Sequence, residues 1–332
     1  MKIWRFLAIG ALFFTWAALP AEGAQQAGKY PAGPITFLVP FGPGGGMDTT
    51  ARNAAQALAQ DKIITVAMPV ENRAGGGGSV GLAYVVQNKK RDNHTVLFHS
   101  PGILLYKLEG QSQFGFMDVV PIARLNADYN FLTVRKDSAF KNVVDLMNAL
   151  KTNPGSLVVA GTSAPGGPDH LSFMVTARAA GVEIKKVRYL SFTGAGELMT
   201  ALLGGSVQVI SCGVNDIAGQ LEAGTIRSLG VLAPQRFTDA LFKNIPTMKE
   251  QGINATFDLF RGAFGPPGMS NEARDYLTKA FGKMAETSPW KNACAKYQWQ
   301  NFYAPADQWK KYLEEQTLSL GSLLKEMGLM KK

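Results

Sequence analysis

Phe37-Leu38-Val39-Pro40-Phe41-Gly42-Pro43-Gly44-Gly45-Gly46-Met47-Asp48-Thr49-Thr50-Ala51-Arg52 begins as a short apolar strand. It passes through a loop of glycines and prolines and enters a helix, with Ala51, Ala54, Ala55 and Leu58 at the i, i+3, i+4, i+7 spacing of one face. A helix that starts this way leaves backbone N–H groups unpaired, and with the helix dipole they form a natural anion site. Glycines also let a backbone approach a ligand where a Cβ would collide. A P-loop requires Lys then Ser or Thr after the last glycine, and Met47-Asp48 stand there instead. Nor does the loop complete G-x-G-x-x-G, and it holds no Lys or Arg. These features favour a carboxylate over a polyphosphate. The same glycines equally suit a sharp turn with no ligand.

Outward from this stretch, the N-terminal residues read as a secretory leader. Lys2 and Arg5 precede an apolar run from Phe6 to Leu19, and small residues follow up to Ala24. Residues 1–24 are therefore set aside as a signal peptide, and the mature chain is expected in a bacterial periplasm. The net charge of +9 favours acidic small molecules, and no dense Lys/Arg block with interleaved aromatics points to nucleic acid. Cys212 lies in an apolar run and Cys294 in an expected helix, so both read as free, structural thiols.

The strand–glycine–helix rhythm recurs. Val66–Val70 is expected as a strand, and Glu71-Asn72-Arg73-Ala74 then leads into Gly75–Gly78, a ligand-facing or tightly packed loop before a helix from Ser79. A second glycine loop, Gly161-Thr162-Ser163-Ala164-Pro165-Gly166-Gly167-Pro168-Asp169-His170, follows a strand and enters a helix with Pro168 at its first position. Asn215 is expected to cap a further helix. Two such units in the two halves of the chain suggest facing helix starts that hold a multiply charged anion. The alternation argues α/β, each half a mostly parallel sheet flanked by helices.

No catalytic set is evident. Pro165 replaces the last glycine of G-x-S-x-G, and His99-Ser100-Pro101-Gly102 lacks its first. The three histidines show no metal-ligand spacing. His94 and His99 read as structural. His170, in a first helical turn, suits a neutral imidazole donating to a ligand, and equally simple capping of the helix start. Asp48, Asp169 and Glu197 lie near helix starts, where carboxylates stabilise the dipole, and Arg52 is spaced to pair with Asp48.

In sequence order, Val39-Pro40-Phe41-Gly42-Pro43-Gly44-Gly45 with Asp48 and Arg52, Val70-Glu71-Asn72-Arg73, Gly161-Thr162-Ser163 through Asp169-His170-Leu171, Ala201-Leu202-Leu203-Gly204-Gly205 and Pro246-Thr247 with Glu250-Gln251-Gly252 form a specific set. With them the chain resembles the periplasmic solute-binding proteins of tripartite tricarboxylate transporters, also called Bug receptors. Gly194-Ala195-Gly196-Glu197 and Arg261-Gly262 leading to Pro266-Pro267-Gly268 are similar to the citrate-type branch, although Ala195 stands at a branch glycine and Phe260 where Trp is common. The resemblance implies a non-catalytic, two-lobed binding protein of type II-like fold, with two extended crossings and no cofactor or metal. One lobe would comprise residues 25–130 and 260–332, the other residues 131–259. Ligand would be held by Phe41, Gly42, Gly44, Gly45, Gly46 and Asp48 from the first lobe. Thr162, Ser163, Gly166, Gly167, His170, Gly213 and Asn215 would hold it from the second. A monomer would capture a di- or tricarboxylate such as citrate and pass it to one small and one large integral-membrane subunit. A ligand-sensing receptor docking on a signalling protein is the alternative.

Overall fold

A computed structural model describes residues 30–192 and 194–331; the expected leader lies outside them. The elements run β1 (Thr36–Val39), α1 (Gly46–Gln60), β2 (Val70–Asn72), α2 (Ser79–Asn88), β3 (Thr95–His99), α3 (Gly102–Leu108), β4 (Val120–Asp128), β5 (Phe131–Arg135), α4 (Val143–Thr152), β6 (Val158–Gly161) and α5 (Pro168–Ala179). They continue β7 (Arg188–Ser191), α6 (Ala195–Leu203), β8 (Val209–Cys212), α7 (Val214–Glu222), β9 (Ile226–Val231), β10 (Leu259–Gly265), α8 (Asn271–Glu286), α9 (Ser288–Tyr297), β11 (Gln300–Pro305) and α10 (Ala306–Met327).

Two sheets result, one in each lobe. The first has the order β11-β4-β10-β3-β1-β2 and the second β7-β6-β8-β5-β9. Each strand–glycine–helix unit does produce parallel neighbours, β1 with β2 and β3, and β6 with β7 and β8. The expectation of mostly parallel sheets nevertheless needs correcting, because both are mixed. β4 and β5 are separated only by Tyr129 and Asn130, so one nearly continuous ribbon leaves the first sheet and enters the second. β10 returns antiparallel to β4 and β3, and β5 lies antiparallel to β8 and β9. The crossing strands set these directions, and hydrophobic pattern carries no information about them.

Local rules hold where a side chain enforces them. Asn142 accepts from Asp145 N–H at 2.8 Å to cap α4, and Ser270 accepts from Ala273 N–H at 3.2 Å to cap α8. The expected strand at Val66–Val70 instead begins at Val70, where pairing with Phe37 of β1 starts. Asn215 is not a cap: Gly213 takes that place, and Asp216 receives the Gly213 N–H at 3.1 Å.

One cluster of buried side chains joins Leu38 and Leu97 of the first sheet to Leu132, Val159, Phe173 and Met174 of the second lobe, with Leu313, Leu320 and Leu324 of α10. The lobes therefore share apolar packing as well as two crossings. Cys212 and Cys294 are both free and buried, as their positions in the pattern indicated.

Candidate functional site

The first glycine loop is fixed by one carboxylate. Asp48 accepts from Gly44 N–H at 2.9 Å, from Arg52 Nε at 2.9 Å and from Asn72 Nδ2 at 2.9 Å. Asn72 also donates to Phe41 O at 3.0 Å, so the Glu-Asn-Arg motif stitches the loop to β2. Burial alone would raise the Asp48 carboxyl, but the bonds from Arg52, Gly44 and Asn72 outweigh it and hold it below its usual range. Asp48 is thus occupied by its own loop. Gly44, at φ +79°, supplies the left-handed turn that lets its N–H reach Asp48.

With Asp48 so engaged, the start of α1 stays open. No side chain caps it, and among the described residues none accepts from the N–H of Gly45, Gly46 or Met47. These donors face a cleft of about 490 Å³ lined by Phe41, Gly42, Pro43, Gly45, Gly46, Met47, Ser100, Pro101, Pro168, Leu259 and Arg261. Phe41 is held edge-on against the buried His99, with ring centres 5.5 Å apart. His99 Nδ1 accepts from Ser100 N–H at 2.9 Å, and burial pulls the imidazole down to about 4, so it is neutral and structural at pH 7. The run Gly75–Gly78 is tightly packed, all four residues at positive φ, and a Cβ on Gly78 would come within 2.8 Å of His99 Nε2.

Among the described residues, Arg261 is the one cation lining the cleft. Its Nη1 donates to Gly46 O at 2.9 Å and Thr50 Oγ1 at 3.1 Å, and its Nη2 to Asp128 Oδ2 at 3.0 Å. A Cβ on Gly46 would lie 2.6 Å from Nη2, so this glycine makes room for the guanidinium. Burial lowers the Arg261 pKa and raises that of Asp128 against the pull of each on the other. Arg261 was expected only as part of the family resemblance, and its place in the cleft wall was not foreseen. The available signal was a lone charge in Phe260-Arg261-Gly262-Ala263-Phe264, since a charge in a buried strand requires a partner.

The second glycine loop is built differently, and facing, equally open helix starts are not what the structure contains. Asp169 Oδ2 accepts from Thr162 N–H at 2.8 Å, Thr162 Oγ1 at 2.9 Å and Ser163 N–H at 3.0 Å. Its Oδ1 accepts from Asn130 Nδ2 at 2.8 Å, and its own N–H donates to Ser163 Oγ at 2.9 Å. Gly166 N–H donates to His170 Nδ1 at 2.9 Å, and the His170 ring lies against Tyr189 with centres 4.2 Å apart. Burial lowers His170 to about 4, so the imidazole is neutral with its proton on Nε2. Thr162, Ser163, Gly166, Gly167 and His170 thus form a self-satisfied loop behind the cleft wall, which only Pro168 reaches from this lobe. Gly213 and Asn215 lie outside that wall too. Of the residues expected to hold ligand, the cleft gathers Phe41, Gly42, Gly45 and Gly46.

Beside this loop the lobes touch. Glu109, just beyond α3, is buried against Gly166, with Oε2 accepting from Gln111 Nε2 at 2.7 Å and Oε1 without a partner. Burial raises its carboxyl to about 7. Because the folded pKa exceeds the unfolded value of about 4.3, folding binds this proton more tightly. The resulting stability is complete below about pH 4 and is lost as pH rises through 7. Glu109→Gln is therefore expected to raise Tm at about pH 8 and leave it unchanged at about pH 4. Melting curves at the two pH values check this, and equal shifts at both would refute it.

A family model described as the tripartite tricarboxylate transporter family receptor matches residues 49–329. A protein encoded in the tcbD–tcbE intergenic region of Pseudomonas sp. strain P51 is 30% identical over 267 residues, covering 78% of this chain and 76% of that one. A TctC solute-binding protein from Polaromonas, solved without ligand, superposes with a TM-score of 0.75 at 26% identity over 90% of this chain and 99% of its own. Rpa4515 of R. palustris, solved with adipate, shares the fold at 22% identity and a TM-score of 0.73, covering 90% and 98% of the two chains. The fold is that of two-lobed α/β periplasmic binding proteins. With its family match spanning nearly all the described residues, the chain belongs to the tripartite tricarboxylate transporter family receptors, which are solute-binding proteins and not enzymes.

Proposed function

We propose that the cleft captures a small carboxylate outside the cytoplasm and presents it to the two integral-membrane subunits of a tripartite transporter. The carboxylate sits on the N–H groups of Gly45, Gly46 and Met47, with the Ser100 hydroxyl and the Arg261 charge nearby. The observation that carries this reading is the uncapped start of α1 opening on an interlobe cleft. Donors of this kind, left without protein partners, are stabilised by an anion and gain strength as water is excluded. Thr162, Ser163, Gly166, Gly167 and His170 set the shape of the opposing wall. Gly213 and Asn215 would approach the ligand only on further closure. The adipate carried by the R. palustris relative supports the carboxylate class.

A thermal-shift panel of small acids and neutral sugars tests the proposal. Ligand at about 100 times its dissociation constant adds about 2.7 kcal/mol. For a protein of this size that raises Tm by roughly 5–10 °C. Shifts with sugars and none with any acid would exclude the carboxylate.

A further inference from the structure

The cleft offers one open anion site and one closed one. At α1 no group of the described residues accepts from the N–H of Gly45, Gly46 or Met47. At α5 the N–H of Asp169 is taken by Ser163 and those of Thr162 and Ser163 by Asp169, and Pro168 has none. No Lys or Arg occurs in the second-lobe loops 161–170 or 212–216, which carry Asp169 and Asp216. Among the described residues neither of these carboxylates forms an ion pair, and burial together with Asp169 raises Asp216 to about 6. On the first lobe, the Asp48 charge is balanced by Arg52 and the Arg261 charge by Asp128. Apart from Ser100 and the paired Arg261, the side chains lining the cleft are apolar: Phe41, Pro43, Met47, Pro101, Pro168 and Leu259.

Resting on the carboxylate reading above, we infer that the preferred ligand is a monocarboxylate with an apolar body, its far end on Leu259, Met47 and Pro101. A second carboxylate, as in citrate or adipate, would lose its hydration beside an apolar wall. Among the described residues lining the cleft the one cation, Arg261, is already paired with Asp128, and the second-lobe loops add the carboxylates Asp169 and Asp216. Desolvating a carboxylate without a partner is unfavourable, whereas each methylene placed on the wall is favourable.

Six-carbon acids that differ only at the far end provide the test. Calorimetry on the mature chain at about pH 7 would compare hexanoate, adipate, monomethyl adipate and 6-aminohexanoate. Hexanoate is expected to bind at least about tenfold tighter than adipate, with monomethyl adipate recovering most of the difference. From butanoate to hexanoate, affinity should rise up to about fourfold per methylene, the equivalent of about 0.8 kcal/mol for a fully buried CH₂. Leu259→Ala, at a half-buried position, should flatten that rise. Adipate binding as tightly as hexanoate would overturn the inference and leave the carboxylate reading standing. Tightest binding of 6-aminohexanoate would also overturn it, because the second-lobe carboxylates would then be recruiting a cation. If none of these acids or any other carboxylate binds, the carboxylate reading itself fails.

Discussion

Arg261→Met is expected to cost the fold about 3–5 kcal/mol, the range for breaking a buried ion pair from one side. Asp128, buried beside Arg261, would be left with its charge unanswered, and Thr50 Oγ1 would lose the guanidinium donor while Gly46 O kept only its bonds from α1, Thr50 Oγ1 included. At roughly 2–4 °C per kcal/mol, Tm should fall by about 10 °C. Arg261→Lys keeps the charge but not the fork that reaches three partners, so an intermediate loss is expected. Adding Asp128→Leu to Arg261→Met should recover much of the stability, since apolar replacement of a buried pair is often neutral. Urea unfolding of the three variants decides the matter. A loss below about 1 kcal/mol in Arg261→Met would mean that water or a proton already neutralises Asp128.

Gly166→Ala should produce the second large effect, through two separable costs. Gly166 lies at φ +87°, which disfavours any residue with a Cβ by about 1–2 kcal/mol. The new Cβ would also land on Glu109 Oε1 from the other lobe. Glu109→Ala in the same chain removes the second cost and leaves the first. The cycle should therefore show a coupling of at least about 1 kcal/mol. If the lobes instead part to escape the clash, stability falls only by the strain. Apparent ligand affinity then drops in proportion to the lost closed population. Measuring both unfolding and binding separates the two outcomes, and additive single effects would show that Glu109 and Gly166 are not in contact.

The two strand–glycine–helix units were legible because they depend on local rules: apolar strands, glycine turns and Pro168 at a helix start. The mixed sheets were not, because strand direction at β5 and β10 follows from where the chain crosses. α3 escaped notice because Ile103, Leu104 and Leu105 are all buried, so the run lacks an amphipathic period. At the site, the first loop was recognised as a donor array. Which donors stay free was not readable, since that depends on Asp48 and Asp169 folding back on their own loops. Sequence places both acids alike in first turns, yet one leaves three N–H groups of its helix start open while the other helps close its own.

A single bonded path runs through the molecule. The start of α1 meets Arg261, and Arg261 holds Asp128 at the end of β4. Two residues on, Asn130 donates to Asp169 and to Ser172 Oγ, and Asp169 holds the amides of Thr162 and Ser163. Seen as a local-unfolding unit, these segments cannot fray one at a time. Releasing the second loop takes Asp169 from Asn130, one of its two acceptors, and releasing the first strips Arg261 of Gly46. Amide exchange at Thr162 and Ser163 is therefore tied to the integrity of a loop in the other lobe, and the two glycine loops open to solvent as one event.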